Sequence, residues 1–180
     1  SNSAIEMSRK LIADSRPKYA AHFEAYQSDG MSLPLADGCV DLFFSGESIE
    51  HVKFPLQYLS EIYRVLRKDG QLVVTTPNRD AILYRNKGEE YCTSPEHFWL
   101  FNYPELKETL SVFFNIEEAY GFNGSYGSHD EDRDRTDPHE AREWSHQFKD
   151  KPEDATGVVI RMTKKPAIDF FYEVQDIPRE

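Results

Sequence analysis

The stretch Ser32–Asn78, SLPLADGCVDLFFSGESIEHVKFPLQYLSEIYRVLRKDGQLVVTTPN, decides the fold. It reads as loop, strand, loop, helix, turn, strand and loop. Val40 to Ser45 (VDLFFS) is a short apolar run of the kind buried on both faces of a parallel sheet. Pro55 to Lys68 carries Leu56, Leu59, Ile62, Tyr63 and Leu66 at helical spacing, one apolar stripe with proline in the first turn. Arg64, Arg67 and Lys68 suit the negative end of that helix dipole. Asp69-Gly70 ends the helix, glycine being free to turn left-handed. Gln71 to Thr76 (QLVVTT) follows as a β-branched strand. Strand, helix and strand in this order form a crossover that sets the two strands parallel.

Outward from this unit the signals weaken. Ala4 to Met7 reads as the tail of a strand, and Ser8 as the cap of a helix reaching Asp14. Pro17 stops that helix, because proline disfavours helical backbone in the residue before it. His22 to Gln27 alternates weakly, as a strand would. Beyond Asn78, Asn102-x-x-Glu105 spells a capping box with Pro104 in the first turn. Leu106, Leu110 and Phe113 give that second helix its inner face. Asn115 to Tyr120 and Val158 to Thr163 read as two final strands. Between them lies a polar insertion, Gly121 to Thr156, containing HDEDRDRTDPHE. A short helix is expected inside it, capped by Asp137 and carrying Ala141, Trp144 and Phe148. The tail after Lys165 is aromatic and acidic and is expected to pack across the surface.

At 180 residues, with 39% apolar and 13% aromatic residues, the chain can bury one real core. A net charge of −11 repels phosphate backbones and anionic lipid, so neither nucleic acid nor membrane is an expected partner. Cys39 and Cys92 make no metal or redox spacing, and so few cysteines fit a reduced, cytoplasmic setting. The acidic run His129 to Glu140 matches no ligand spacing and is expected to be a solvated loop. No metal site is expected. The opening Ser1-Asn2-Ser3 fits a scar from a cleaved tag.

Four segments together resemble one family. Leu33 to Asp41 (LPLADGCVD), the Glu50-His51 loop, Thr76-Pro77-Asn78, and His97 to Phe101 (HFWLF) are similar to class I S-adenosylmethionine-dependent methyltransferases of type 11. The likeness covers nearly all of Ala4 to Lys165. It implies an α/β fold with a Rossmann-like, doubly wound, mostly parallel sheet and an antiparallel last strand. A partial methyltransferase domain over 1–165 is expected, with the insertion at 121–156 and a separate tail at 166–180.

The resemblance also implies a site for S-adenosylmethionine. Glu6 would accept hydrogen bonds from the ribose hydroxyls at a strand end, two carboxylate oxygens matching two vicinal hydroxyls. Asp29 would accept from the adenine amine, with Gly30 and Met31 completing the slot; Asp-Gly is equally a plain turn signal. Ser45, Gly46 and Glu47 would lie at the methionine end. His51 would orient the acceptor or take its proton, or else simply pack where the helix begins. His97, Trp99 and Tyr84 would wall the acceptor, with Tyr91 beside them, although an aromatic run of this kind also suits a core. Asp41 is expected to cap local backbone.

One part of the family pattern is missing from the sequence. The glycine-rich G-x-G-x-G cofactor turn occurs nowhere in it. The first strand of the fold is likewise expected to be absent, which would fit an N-terminal truncation of a longer protein. Methyl transfer to a small-molecule acceptor is the expected activity, with a homodimer admissible. The alternative is an inactive methyltransferase-like module serving assembly or regulation. A nicotinamide oxidoreductase ranks last, since it would need a G-x-G-x-x-G turn.

Overall fold

The computed structural model describes residues 2–80, 95–122, 148–149 and 151–166. The chain divides into two compact units, Ser1–Pro34 and Leu35–Glu180.

The first unit holds α1 (Asn2–Ser15) and α2 (Pro17–Ala20). The strand expected over Ala4 to Met7 is therefore helix. Ile5 and Ile12, two turns apart, are partly covered side chains on one side of α1. Its serines bond back along the helix rather than compete with it: Ser8 Oγ donates to the Ala4 carbonyl at 2.9 Å and Ser15 Oγ to that of Leu11 at 2.5 Å. Ser8 is thus mid-helix and caps nothing. Pro17 stops α1 as expected and opens α2. His22 to Gln27 forms no strand, residues 23–28 having no regular structure.

The second unit holds β1 (Val40–Gly46), α3 (Pro55–Val65), β2 (Leu66–Pro77), α4 (Tyr103–Ser111), β3 (Phe114–Phe122), β4 (Phe148–Lys149) and β5 (Gly157–Lys164). Short 3-10 turns lie at Ile49–His51 and Pro152–Asp154. The strands form one sheet in the order β1-β2-β5-β3-β4. β1 pairs with β2 in parallel, Phe43 opposite Leu72 and Ser45 opposite Val74. β5 is antiparallel to both neighbours, with Ile160 opposite Val74 on one side and Ala119 on the other. So β1, β2 and β3 run one way and the last strand runs against them. All four strands expected in this unit are present. Phe148, expected on a helix, lies instead in β4 opposite Phe122. The rest of that expected helix, Tyr84, Tyr91, the acidic run and the tail beyond Pro166 lie outside the described residues.

The core follows from alternation along the strands. Leu72 and Val74 of β2 and Val158, Ile160 and Met162 of β5 are buried with Leu59, Ile62 and Val65 of α3 and Leu106 and Leu110 of α4. Each such side chain contributes roughly 1.5–3 kcal/mol by leaving water. The Tyr63 ring lies against both Phe113 and Phe114, joining α3 to the start of β3. The capping box of α4 is complete: Asn102 Oδ1 accepts from the Glu105 amide at 2.9 Å, and Glu105 Oε2 accepts from the Asn102 amide at 3.2 Å.

Two local expectations are corrected. β1 is not buried on both faces; Leu42 is 58% and Phe44 65% exposed. Among the described residues β1 is an edge strand, with β2 as its only neighbour. The helix before β2 also ends earlier, at Val65, and Leu66 already pairs with Val40. Gly70 lies within β2 and is not left-handed. A Cβ there would come within 3.1 Å of the Val40 carbonyl and 3.0 Å of the Arg67 carbonyl, so close backbone approach is what requires glycine. The left-handed glycine is Gly38, at φ 63°, whose amide donates to the Arg64 carbonyl at 3.0 Å. The Arg64 guanidinium fastens the same loop, donating to the Leu35 carbonyl at 2.8 Å and to Asp37 at 2.5 Å.

Among the described residues no helix is long and apolar enough to cross a membrane.

Candidate functional site

The site lies at the carboxyl ends of β1 and β2, where ligands bind in open α/β sheets. β1 ends at Gly46 and the chain turns sharply. Glu47 takes a left-handed φ of 46°, costly for a residue with a side chain. Its amide, donating to the Thr75 carbonyl at 2.9 Å, holds it there. Ser48 Oγ donates to the Gly46 carbonyl at 2.8 Å and tightens the turn. Ile49–His51 then forms the single 3-10 turn that precedes α3.

A second segment, 96–99, is fastened onto this turn. The Glu50 carbonyl accepts from the amides of Phe98 at 2.9 Å and Trp99 at 3.2 Å. His51 Nδ1 donates to the Glu96 carbonyl at 3.1 Å, and Trp99 Nε1 to that of Lys53 at 3.3 Å. These bonds bring His97 to His51, ring centroids 4.6 Å apart and edge to face. Because a carbonyl can only accept, Nδ1 of His51 carries a hydrogen, and Nε2 is the nitrogen left to face the site.

Glu50 is the residue whose importance the sequence did not disclose. It is 2% exposed. Its Oε2 accepts from Thr76 Oγ1 at 2.8 Å, at the end of β2. Its Oε1 is buried with no hydrogen-bond partner among the described residues. Burial pushes the carboxyl above the usual carboxylate range, against the pull of its own main-chain amide and of Thr76. Glu50, His51 and His97 each offer a ligand atom, and these atoms all lie within 4.8 Å of one another. Sequence spacing could not join His97 to the other two. The one available signal was the pairing of a Glu-His loop with a later aromatic segment.

The predicted site residues fall as follows. Ser45 is buried, its hydroxyl 2.9 Å from that of Tyr58. Its hydroxyl is therefore engaged inside the fold. Burial raises the Tyr58 hydroxyl above its ordinary range. Gly46, Glu47, His51, His97 and Trp99 gather at the strand ends just described. An apolar cleft of about 710 Å³ adjoins them, lined by Lys53, Phe54, Trp99, Phe101 and Val112. Tyr84 lies outside the described residues. In the first unit, Asp29 closes a turn: Ser32 N donates to its carbonyl and Met31 N to its Oδ1, both at 2.9 Å. This is the turn geometry that Asp-Gly predicts. Gly30 and Met31 are half-buried in it. Glu6 sits exposed on α1, so the strand end expected to present it is not there.

The fold and these loops can be set beside known proteins. The family model described as a methyltransferase domain matches residues 2–74. A probable S-adenosylmethionine-dependent methyltransferase of Mycolicibacterium smegmatis is 37% identical over 95 residues, 52% of this chain and 36% of that protein. Over this part of its length the chain is similar to S-adenosylmethionine-dependent methyltransferases. A relative in Mycobacterium tuberculosis, also a probable S-adenosylmethionine-dependent methyltransferase, is 32% identical over 107 residues, 59% of this chain and 38% of that protein. The chain thus spans little more than a third of the length of these methyltransferases. A crystal structure of a methyltransferase from Thermotoga maritima superimposes with a TM-score of 0.60 at 23% identity, covering 87% of this chain and 70% of that one, a likeness of fold. Both relatives are named for dependence on S-adenosylmethionine.

Proposed function

We propose that the protein to which this chain belongs moves a methyl group from S-adenosylmethionine to a small-molecule nucleophile. What carries the reading is the fastening of segment 96–99 onto the Ile49–His51 turn at the ends of two parallel strands. It sets an imidazole with a defined tautomer beside the place where an open α/β sheet receives its ligand. Bound there, S-adenosylmethionine supplies a sulfonium-activated methyl carbon.

The residues of the chain then have distinct tasks. Gly46 allows close approach of main chain to the methionine end, and Glu47 is the carboxylate that pairs with its ammonium. Glu6, on a helix, is left out of the set. His97 and Trp99 wall the acceptor, and the neighbouring apolar cleft suits an acceptor with an apolar body. His51 Nε2 orients the acceptor hydrogen or receives it. Most of the rate comes from holding donor and acceptor in line at short range.

Calorimetry of the 180-residue chain with S-adenosylmethionine tests this. Binding in the micromolar range, competed by S-adenosylhomocysteine, is the expected result. Absence of heat at millimolar cofactor would overturn the reading for this chain.

A further inference from the structure

The contacts within the second unit leave one group unexplained. Glu50 is a buried carboxylate with one oxygen satisfied by Thr76 and the other satisfied by nothing among the described residues. Leaving such an oxygen bare costs about 1–3 kcal/mol or more. Among the described residues no lysine or arginine pairs with it. Ligand atoms gather at this carboxylate: one of its oxygens and an imidazole nitrogen each from His51 and His97 lie within 4.8 Å of one another.

We propose that Glu50, His51 and His97 form a binding site for one divalent transition-metal cation of the zinc type. Three observations meet here. The first is the donor set, two imidazoles and a carboxylate, which suits zinc, cobalt or iron and disfavours magnesium and calcium, whose preference is for oxygen. The second is the bare Oε1 of Glu50, which a cation would neutralise and coordinate at once. The third is the support behind the ligands. His51 donates from Nδ1 to the Glu96 carbonyl, which aims Nε2 as a ligand, and Glu50 is held from behind by Thr76. Metal-bound histidines characteristically have such an outer partner. Ligands of a tetrahedral ion stand ~3.4 Å apart at ordinary zinc distances, so the side chains close by roughly one ångström on binding. Three protein ligands leave a position open to water or to an acceptor oxygen or nitrogen; with the ion bound, the lone pair of His51 Nε2 is committed to it, and His51 orients the acceptor through that open position rather than by taking its proton.

The ion site needs no methyl transfer and is measured without it. The full chain, stripped with chelator, is titrated calorimetrically with zinc chloride and, separately, with magnesium chloride; cobalt is added to report coordination by its visible absorption. The expected result is one zinc per chain in the micromolar range or tighter, and roughly a hundredfold preference over magnesium. Glu50→Gln and His97→Ala each weaken zinc by roughly tenfold or more and abolish the cobalt band. A triple variant, His129→Ala, His139→Ala and His146→Ala, keeps both signals, which excludes the histidines of the insertion. His97 is only half-buried, so its variant decides the matter should Glu50→Gln fail to fold by circular dichroism. No stoichiometric binding up to millimolar zinc, undiminished binding in His97→Ala, or loss in the triple variant would each overturn the proposal.

Discussion

His51 Nδ1 donates to the main-chain carbonyl of Glu96 at 3.1 Å, across 45 residues of sequence. That bond does two things. It ties the aromatic segment to the loop after β1, and it fixes which nitrogen of His51 faces the site. The chemistry assigned to the loop depends on that choice of tautomer.

Thr76→Val removes the hydroxyl that serves Glu50 while keeping shape. Both Thr76 and Glu50 are buried, so a second oxygen of Glu50 would be left bare. A loss of about 1–3 kcal/mol is expected in urea unfolding. Because one contact links the two residues, the effects of Thr76→Val and Glu50→Leu together should be smaller than their sum. Strict additivity would mean the bond does not form.

Asn78 fastens the 3-10 turn near β5 to the end of β2. It is buried, and its Nδ2 donates to the carbonyls of Pro152 at 3.0 Å, Glu153 at 3.1 Å and Ala155 at 3.0 Å. Asn78→Asp replaces that donor with an acceptor facing three acceptors. It should therefore destabilise more than Asn78→Ala, which costs about 1–3 kcal/mol. Mild acid should restore part of the difference by protonating the new carboxyl. Equal effects of the two substitutions in thermal unfolding would contradict the assignment.

The pairing of Glu105 with Arg79 at 2.8 Å gives a pH dependence of known sign. The Arg79 guanidinium holds the Glu105 carboxyl below the usual carboxylate range, helped by the Asn102 amide. A depressed folded pKa means the contribution is fully present above the unfolded pKa. It disappears as pH falls through the folded one. Glu105→Gln keeps the helix cap, because glutamine serves a capping box as well. It should therefore be slightly less stable than the parent near neutrality and indistinguishable from it in strong acid. The effect is small because the pair is exposed. A gap that widened on acidification would contradict the pairing.

The strands and α3 were legible because each is a local pattern: an apolar run, a helical stripe, a β-branched run. The Asn102 capping box was legible for the same reason and is formed in full. What failed was short and lacked neighbours to decide it. Ala4 to Met7 suits either period when only four residues are weighed, and the longer run to Ser15 makes it helix. Gly70 looked like a helix terminator because Asp-Gly commonly is one. The strand begins so early that the glycine serves a close backbone crossing instead. That Gly46, Glu47 and His51 gather at the end of β1 was legible because they lie directly after the apolar run that makes the strand. The burial of Glu50 and its meeting with His97 were not, since they arise from hydrogen bonds between segments more than 40 residues apart in sequence.

The central claim is that the loop after β1 receives the methyl donor. The most direct measurement is titration of ¹⁵N-labelled chain with S-adenosylmethionine, followed by amide shifts. Saturable shifts are expected at Gly46, Glu47 and Ser48. Saturation without movement at Gly46 and Glu47, or no shifts at millimolar cofactor, would contradict it.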